Sequence, residues 1–199
     1  MKVNIFEGFN AFSKTLKSEE SIELSDTVKE ILKSVREDGD IALAKYSKKF
    51  DKILPTSLLV PKYSLKEALD SLDKDLLLIL EEAADNIMSF HEQQKTSSQL
   101  DFKSDGTILG WKVTPLDSVG IYIPGGSAIY PSTLLMNVIP AQVAGVSRIV
   151  LVSPPRNSGL PHQLVLACAA FMGIEEIYCV GGVQAIGALA YGTESIKKV

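Results

Sequence analysis

The sequence predicts an α/β protein: a parallel sheet flanked by helices, preceded by a mainly helical amino-terminal region. Three observations predict it. Up to about residue 95 the apolar residues recur at helical spacing on a heavily charged surface. Beyond Pro115, short β-branched segments alternate with segments of helix length. Within that second part, Gly145 and Ile149 are answered at the same spacing by Gly173 and Ile177, as in two successive units of one sheet.

Ser25 or Asp26 can cap a helix over 27–38, in which Val28, Ile31, Leu32 and Val35 share a face, and Gly39 ends it. Asp40 can open a second helix over 41–50, with Ile41, Leu43, Ala44 and Tyr46 as its apolar residues. Ser64 and Glu67 have capping-box spacing, which places a helix start at Ser64. The longest predicted helix covers about 73–94, with Leu76, Leu80, Ala83, Ala84 and Ile87 in one stripe and His91 on its continuation. That histidine reads as a helix-end residue, hydrogen-bonded or partly exposed, because one imidazole without partners makes no site.

Residues 96–106 are polar and rich in Ser, Asp and Gly, and read as a loop. A strand follows over 107–113, closed by Pro115, and its Trp111 is expected in a core or interface. The alternating part then offers strands at 119–123, 148–152 and 176–180, with helices at 133–144, 163–172 and 183–191. Gly145 and Gly173 can each supply the left-handed residue that ends a helix before the next strand.

The balance of 20 Lys and Arg against 24 Asp and Glu, a net charge of −4, supplies no basic face for nucleic acid or a membrane surface. No apolar run approaches the roughly 18–20 residues of a membrane span. The opening MKVNIFEGFNAF does not read as an export signal, and two cysteines in apolar surroundings, Cys168 and Cys179, fit a reducing, cytoplasmic setting.

In an open parallel sheet, ligands bind outside the carboxyl ends of the strands. Pro124-Gly125-Gly126-Ser127, Ser153-Pro154-Pro155 and Gly181-Gly182-Val183-Gln184 all fall there. Tyr122 can present a ring and hydroxyl at that edge, and Gln184 an amide in the first turn of a helix. Neither standard phosphate loop is present, so these glycines serve equally well as plain tight turns, and Tyr122 as a packing residue. His91 and His162 lack partners at metal-ligand spacing, and no serine sits in a nucleophile elbow.

The stretch VGIYIPGGSAIYPSTLLMNVIPAQVAGVSRIVLVSPP, followed by EEIYCVGGVQAIGALAYGTESI, resembles the histidinol dehydrogenase family. VREDGDIALAKYSKKFD, FHEQQ and residues 111–120 also resemble it, so the likeness runs from about residue 25 onward. The resemblance implies a cytoplasmic, homodimeric enzyme of histidine biosynthesis. With NAD and zinc, such an enzyme oxidises L-histidinol through L-histidinal to L-histidine. It also implies NAD contacts at Tyr122 and Gln184, with 116–199 as a Rossmann-like NAD-binding domain. Residues 1–115 would then belong to a helical domain completed by later sequence.

The family's zinc ligands, its proton-moving Glu-His pair and the asparagine that completes its NAD site lie later than the segments matched here. The chain therefore reads as the family's amino-terminal part, with no catalytic or metal residue of its own and no activity alone. Its Leu76, Leu80 and Ile87 stripe and a sheet edge beyond Tyr191 are expected to be uncovered, which favours self-association as a symmetric dimer. Two other readings stay open: a related zinc- and NAD-dependent alcohol dehydrogenase of the same family, and a non-catalytic nucleotide-binding or assembly module.

Overall fold

The structure, a computed structural model, describes residues 25–125 and 129–199. The opening MKVNIFEGFNAF, and Gly126 and Ser127 of the first glycine-bearing loop, lie outside the described residues.

Helix α1 (Asp26–Asp38) starts where the Val28 N–H donates to the Ser25 hydroxyl at 3.4 Å, and Ile31 and Val35 form its buried face. Gly39 ends it at φ 53°, and a side chain there would run into the Glu194 carboxylate. Helix α2 (Asp40–Phe50) buries Ala42, Leu43, Tyr46 and Ser47. Ile41, one of the apolar residues of the predicted helix, is 77% exposed. At ~100° per residue it falls on the opposite side of the helix from that buried arc.

Helix α3 (Lys62–Asp70) begins earlier than the Ser64–Glu67 spacing predicts: Pro61 is its N-cap, and no side chain caps it. Ser64 sits buried inside the first turn, its N–H donating to the Pro61 carbonyl at 3.0 Å. A tertiary contact sets this start. The Val60 N–H donates to the Ile177 carbonyl at 2.9 Å, so the chain reaches Pro61 already extended beside the sheet.

Helix α4 (Lys74–Glu92) is capped by Asp73, whose Oδ1 accepts from the N–H groups of Asp75 and Leu76. Its stripe is covered within the chain, against expectation. Leu80 and Ala84 are buried, and Leu76, Ala83 and Ile87 pack beside them in a core shared with helix α5 (Pro131–Ala144).

The predicted loop at 96–106 contains a strand. β1 (Gln99–Phe102) pairs antiparallel with β2 (Ile108–Trp111), Gln99 opposite Trp111 and Phe102 opposite Ile108. The turn is built by Gly106 at φ 83° and by Asp105, whose Oδ1 accepts the Thr107 N–H at 2.9 Å. Trp111 is not in the core of the chain. It is 55% exposed and donates its indole N–H to the Ser97 carbonyl at 3.2 Å.

Strands β3 (Ser118–Tyr122), β4 (Arg148–Ser153) and β5 (Glu176–Cys179) form the predicted parallel sheet in the order β3-β4-β5. Helix α5, helix α6 (Gln163–Phe171) and helix α7 (Gly182–Tyr191) follow the three strands in turn, and Gly145 and Gly173 take φ 85° and 70° after α5 and α6. The pleat sorts side chains to two cores. Ile121, Ile123, Leu151, Ile177 and Cys179 face the core that includes residues of α3 to α6. Val150, Val152, Tyr178 and Val180 face the other, with residues of α1, α2 and α7.

The outer edge of β5 is occupied, while β3 is the other end strand of the sheet. Residues 58–60 run antiparallel beside it, and the Cys179 N–H donates to the Leu58 carbonyl at 2.7 Å. At the amino end of the sheet, Arg148 grips Glu176 with two hydrogen bonds, 2.9 and 2.6 Å, and donates to the carbonyls of Lys197 and Lys198. Among the described residues no helix is long and apolar enough to cross a membrane.

Candidate functional site at the carboxyl edge of the sheet

The strand ends, and the turns into α7, bring Tyr122, Ser153, Pro154, Gly181, Gly182 and Gln184 to the carboxyl edge of the sheet. Tyr122, at the end of β3, points to the α7 face. The first N–H of that helix, on Gly182, donates to the Tyr122 hydroxyl at 3.3 Å. The helix terminus offers otherwise unmet N–H groups, and Tyr122 satisfies one of them.

Gln184 is 1% exposed, yet neither its amide oxygen nor its amide nitrogen has a hydrogen-bond partner among the described residues. Gly182 adopts φ 66°, and a Cβ there would lie 2.7 Å from Gln184 Oε1, so its lack of a side chain leaves the amide its space. Ser153 also holds a buried hydroxyl without a partner among the described residues. The other two described glycines of this edge have a packing reason: side chains on Gly125 or Gly181 would collide with Pro154.

The remaining candidates have local structural roles. His91 Nδ1 donates to Gln94 Oε1 at 2.8 Å at the end of α4. His162 caps α6, its Nδ1 accepting the Leu164 N–H at 3.0 Å, and burial, then the Arg156 charge, holds its pKa below the ordinary histidine value. Burial pushes the Cys168 thiol up to about 11, and burial with the Asp51 charge pushes Cys179 up to about 12. A recess of about 640 Å³, lined in part by His91, Val113, Leu116 and Pro140, lies between the end of α4 and α5 and away from this edge.

A profile described as histidinol dehydrogenase matches residues 14–199. The chain belongs to the histidinol dehydrogenase family. Histidinol dehydrogenase of Geobacillus kaustophilus (strain HTA426) is 49% identical over 199 residues, 100% of this chain and 47% of that protein. That of Bacillus subtilis (strain 168) is 54% identical over 173 residues, 87% of this chain and 40% of that protein. The crystal structure of histidinol dehydrogenase from Elizabethkingia anophelis matches with a TM-score of 0.83 at 35% identity, covering 98% of this chain and 46% of that one. The chain thus spans less than half the length of these relatives, and corresponds to their amino-terminal half.

Histidinol dehydrogenases as a family imply NAD and zinc. The edge residues fit a ligand such as NAD, since a buried amide with both hydrogen-bonding atoms unmet is costly unless something pairs with it. They do not fit zinc. Among the described residues no group of three or more His, Cys, Asp or Glu could hold a metal ion.

Proposed function

We propose that the chain is the NAD-handling amino-terminal part of a histidinol dehydrogenase, with Tyr122 and Gln184 holding the cofactor. A bound NAD would accept hydride from L-histidinol, and a second NAD would accept it from L-histidinal once water has added to the aldehyde. Gln184 gives the cofactor one donor and one acceptor, and Tyr122 sets the wall beside it through its bond to Gly182. The unmet Gln184 amide at the edge where such sheets bind ligands carries this reading.

Acid–base and zinc chemistry are assigned to residues outside this chain, so residues 1–199 alone do not turn over L-histidinol. The α/β part from residue 116 is the Rossmann-like unit of this assignment, and the helices before it belong to a domain that later sequence completes. Two buried free thiols support a reducing, cytoplasmic setting. A homodimer is proposed on the hairpin. Leu100, Phe102, Ile108, Leu109 and Trp111 are all more than half exposed there, and a lone two-stranded hairpin is marginal in water.

Joining residues 1–199 to the carboxyl-terminal remainder of the Geobacillus kaustophilus relative tests the assignment. With zinc, the chimera should form NADH from L-histidinol, while the chain alone forms none. Gln184→Ala in the chimera should raise KM for NAD about tenfold with kcat little changed. Turnover by the chain alone, or an unchanged KM, would overturn the assignment.

A further inference from the structure

A polar recess lies along α2, on the face of the sheet that packs α1, α2 and α7. Helix α7 starts at the carboxyl edge and ends at Tyr191, so the residues after it return to the strands' amino ends, where Arg148 holds the carbonyls of Lys197 and Lys198. A cavity of about 390 Å³ opens along α2, from Asp40 and Ser195 to residues 54–58, of which Leu58 lies beside Cys179 at the opposite end of β5. Its floor is one stripe of α2: Asp40, Ala44 and Ser47 stand four and then three positions apart. Ala44, Leu54, Pro55 and Leu58 supply apolar surface.

The polar groups of this cavity are short of donors. Ser47 is wholly buried, and its hydroxyl has no hydrogen-bond partner among the described residues. Asp40 Oδ2 accepts from the Ser195 hydroxyl, but Oδ1 is buried and unpartnered. Ser57 is unavailable as a donor, because its hydroxyl is given to the Leu59 carbonyl at 3.0 Å. The Glu194 carboxylate accepts the Asp40 N–H at 2.8 Å and adds negative charge beside the rim.

An aspartate oxygen and a serine hydroxyl without partners, beside an apolar wall, define a fitting occupant by its chemistry: N–H donors on a positive charge, carried by a small aliphatic body. We propose that this cavity binds a small organic ammonium ion, its N–H groups donating to Asp40 and Ser47. The site stands apart from Tyr122 and Gln184, and does not depend on the NAD assignment.

The probe is n-butylammonium, fully protonated at about pH 7 like a lysine side chain. It is titrated into the whole chain while backbone amide resonances are followed. Saturable shifts at Asp40, Ala44, Ser47, Leu58 and Ser195 are expected, with none from n-butanol or butyrate over the same range. Asp40→Asn should weaken binding at least about tenfold, and Ser47→Ala about fivefold. Ser47→Ala removes a hydroxyl that bonds nothing in the protein, so its spectrum should remain that of the folded chain. Absence of saturation, an equal response to n-butanol, or unchanged binding by Asp40→Asn would each overturn the proposal.

Discussion

Tyr122 and Gly182 are tied together: the last residue of β3 receives, on its hydroxyl, the first N–H of α7 at 3.3 Å. The contact joins an end strand of the sheet to the helix that carries Gln184. It is long for such a bond, so its mechanical contribution is small. Tyr122→Phe should lower stability by no more than about 1 kcal/mol in urea unfolding. A loss of several kcal/mol would make Tyr122 a structural residue first.

Glu176 gives the fold an acid-sensitive clasp. The hydrogen bonds from Arg148 are the main cause, with that from Tyr178 adding to them, of a Glu176 pKa below its ordinary value, despite partial burial. The folded-state pKa is therefore the lower one. The stabilisation is complete above the unfolded-state value of about 4.3 and is lost as pH falls through the folded-state value. Urea midpoints measured from about pH 6 down to about pH 3 should fall more steeply for the wild type than for Glu176→Gln. Parallel profiles would contradict the clasp.

The thiols should be inert in the folded chain. With pKa values pushed up to about 11 and about 12 and no exposed surface, Cys168 and Cys179 carry almost no thiolate near neutrality. At about pH 8 a disulfide reagent should label neither until denaturant is added, and then both. Prompt labelling of the native protein would show that the cores around β5 and α6 open readily.

The hairpin should govern association. Trp111→Arg or Leu109→Asp removes apolar surface that is already exposed, so neither should cost the fold more than about 0.5 kcal/mol. Light scattering over a concentration series should show wild-type dimers and variant monomers near 21.6 kDa. A monomeric wild type would remove the hairpin as an interface.

What could be read from the residues alone depended on how local the cause was. The parallel strands and their helices were legible because β-branched runs and helix-ending glycines act within a few residues, and the start of α1 was legible because its Ser25 cap is equally local. The β1 strand was also within reach: Leu100 and Phe102 alternate with polar residues, and Asp105-Gly106 is a hairpin turn signal. Its polar composition masked that pattern, because the alternating apolar residues face outward and follow no core periodicity. The start of α3 was not legible, since Val60 is held by Ile177 across the fold. Tyr122 and Gln184 could be placed at the sheet edge from spacing. That the Gln184 amide is left without partners is a property of packing, which spacing does not encode.

Titrating NAD into the wild type and Gln184→Met separates a role of Gln184 in holding NAD from a role in the fold. Methionine fills a similar volume without leaving polar atoms buried, so Gln184→Met should unfold at equal or higher urea, by up to about 1 kcal/mol. At the same time it should lose the NAD-induced shifts that the wild type shows at the amides of Gly125, Gly181, Gly182 and Gln184. The expected pairing is stability kept and NAD response lost. NAD bound equally by both proteins, or a variant that no longer folds, would contradict it.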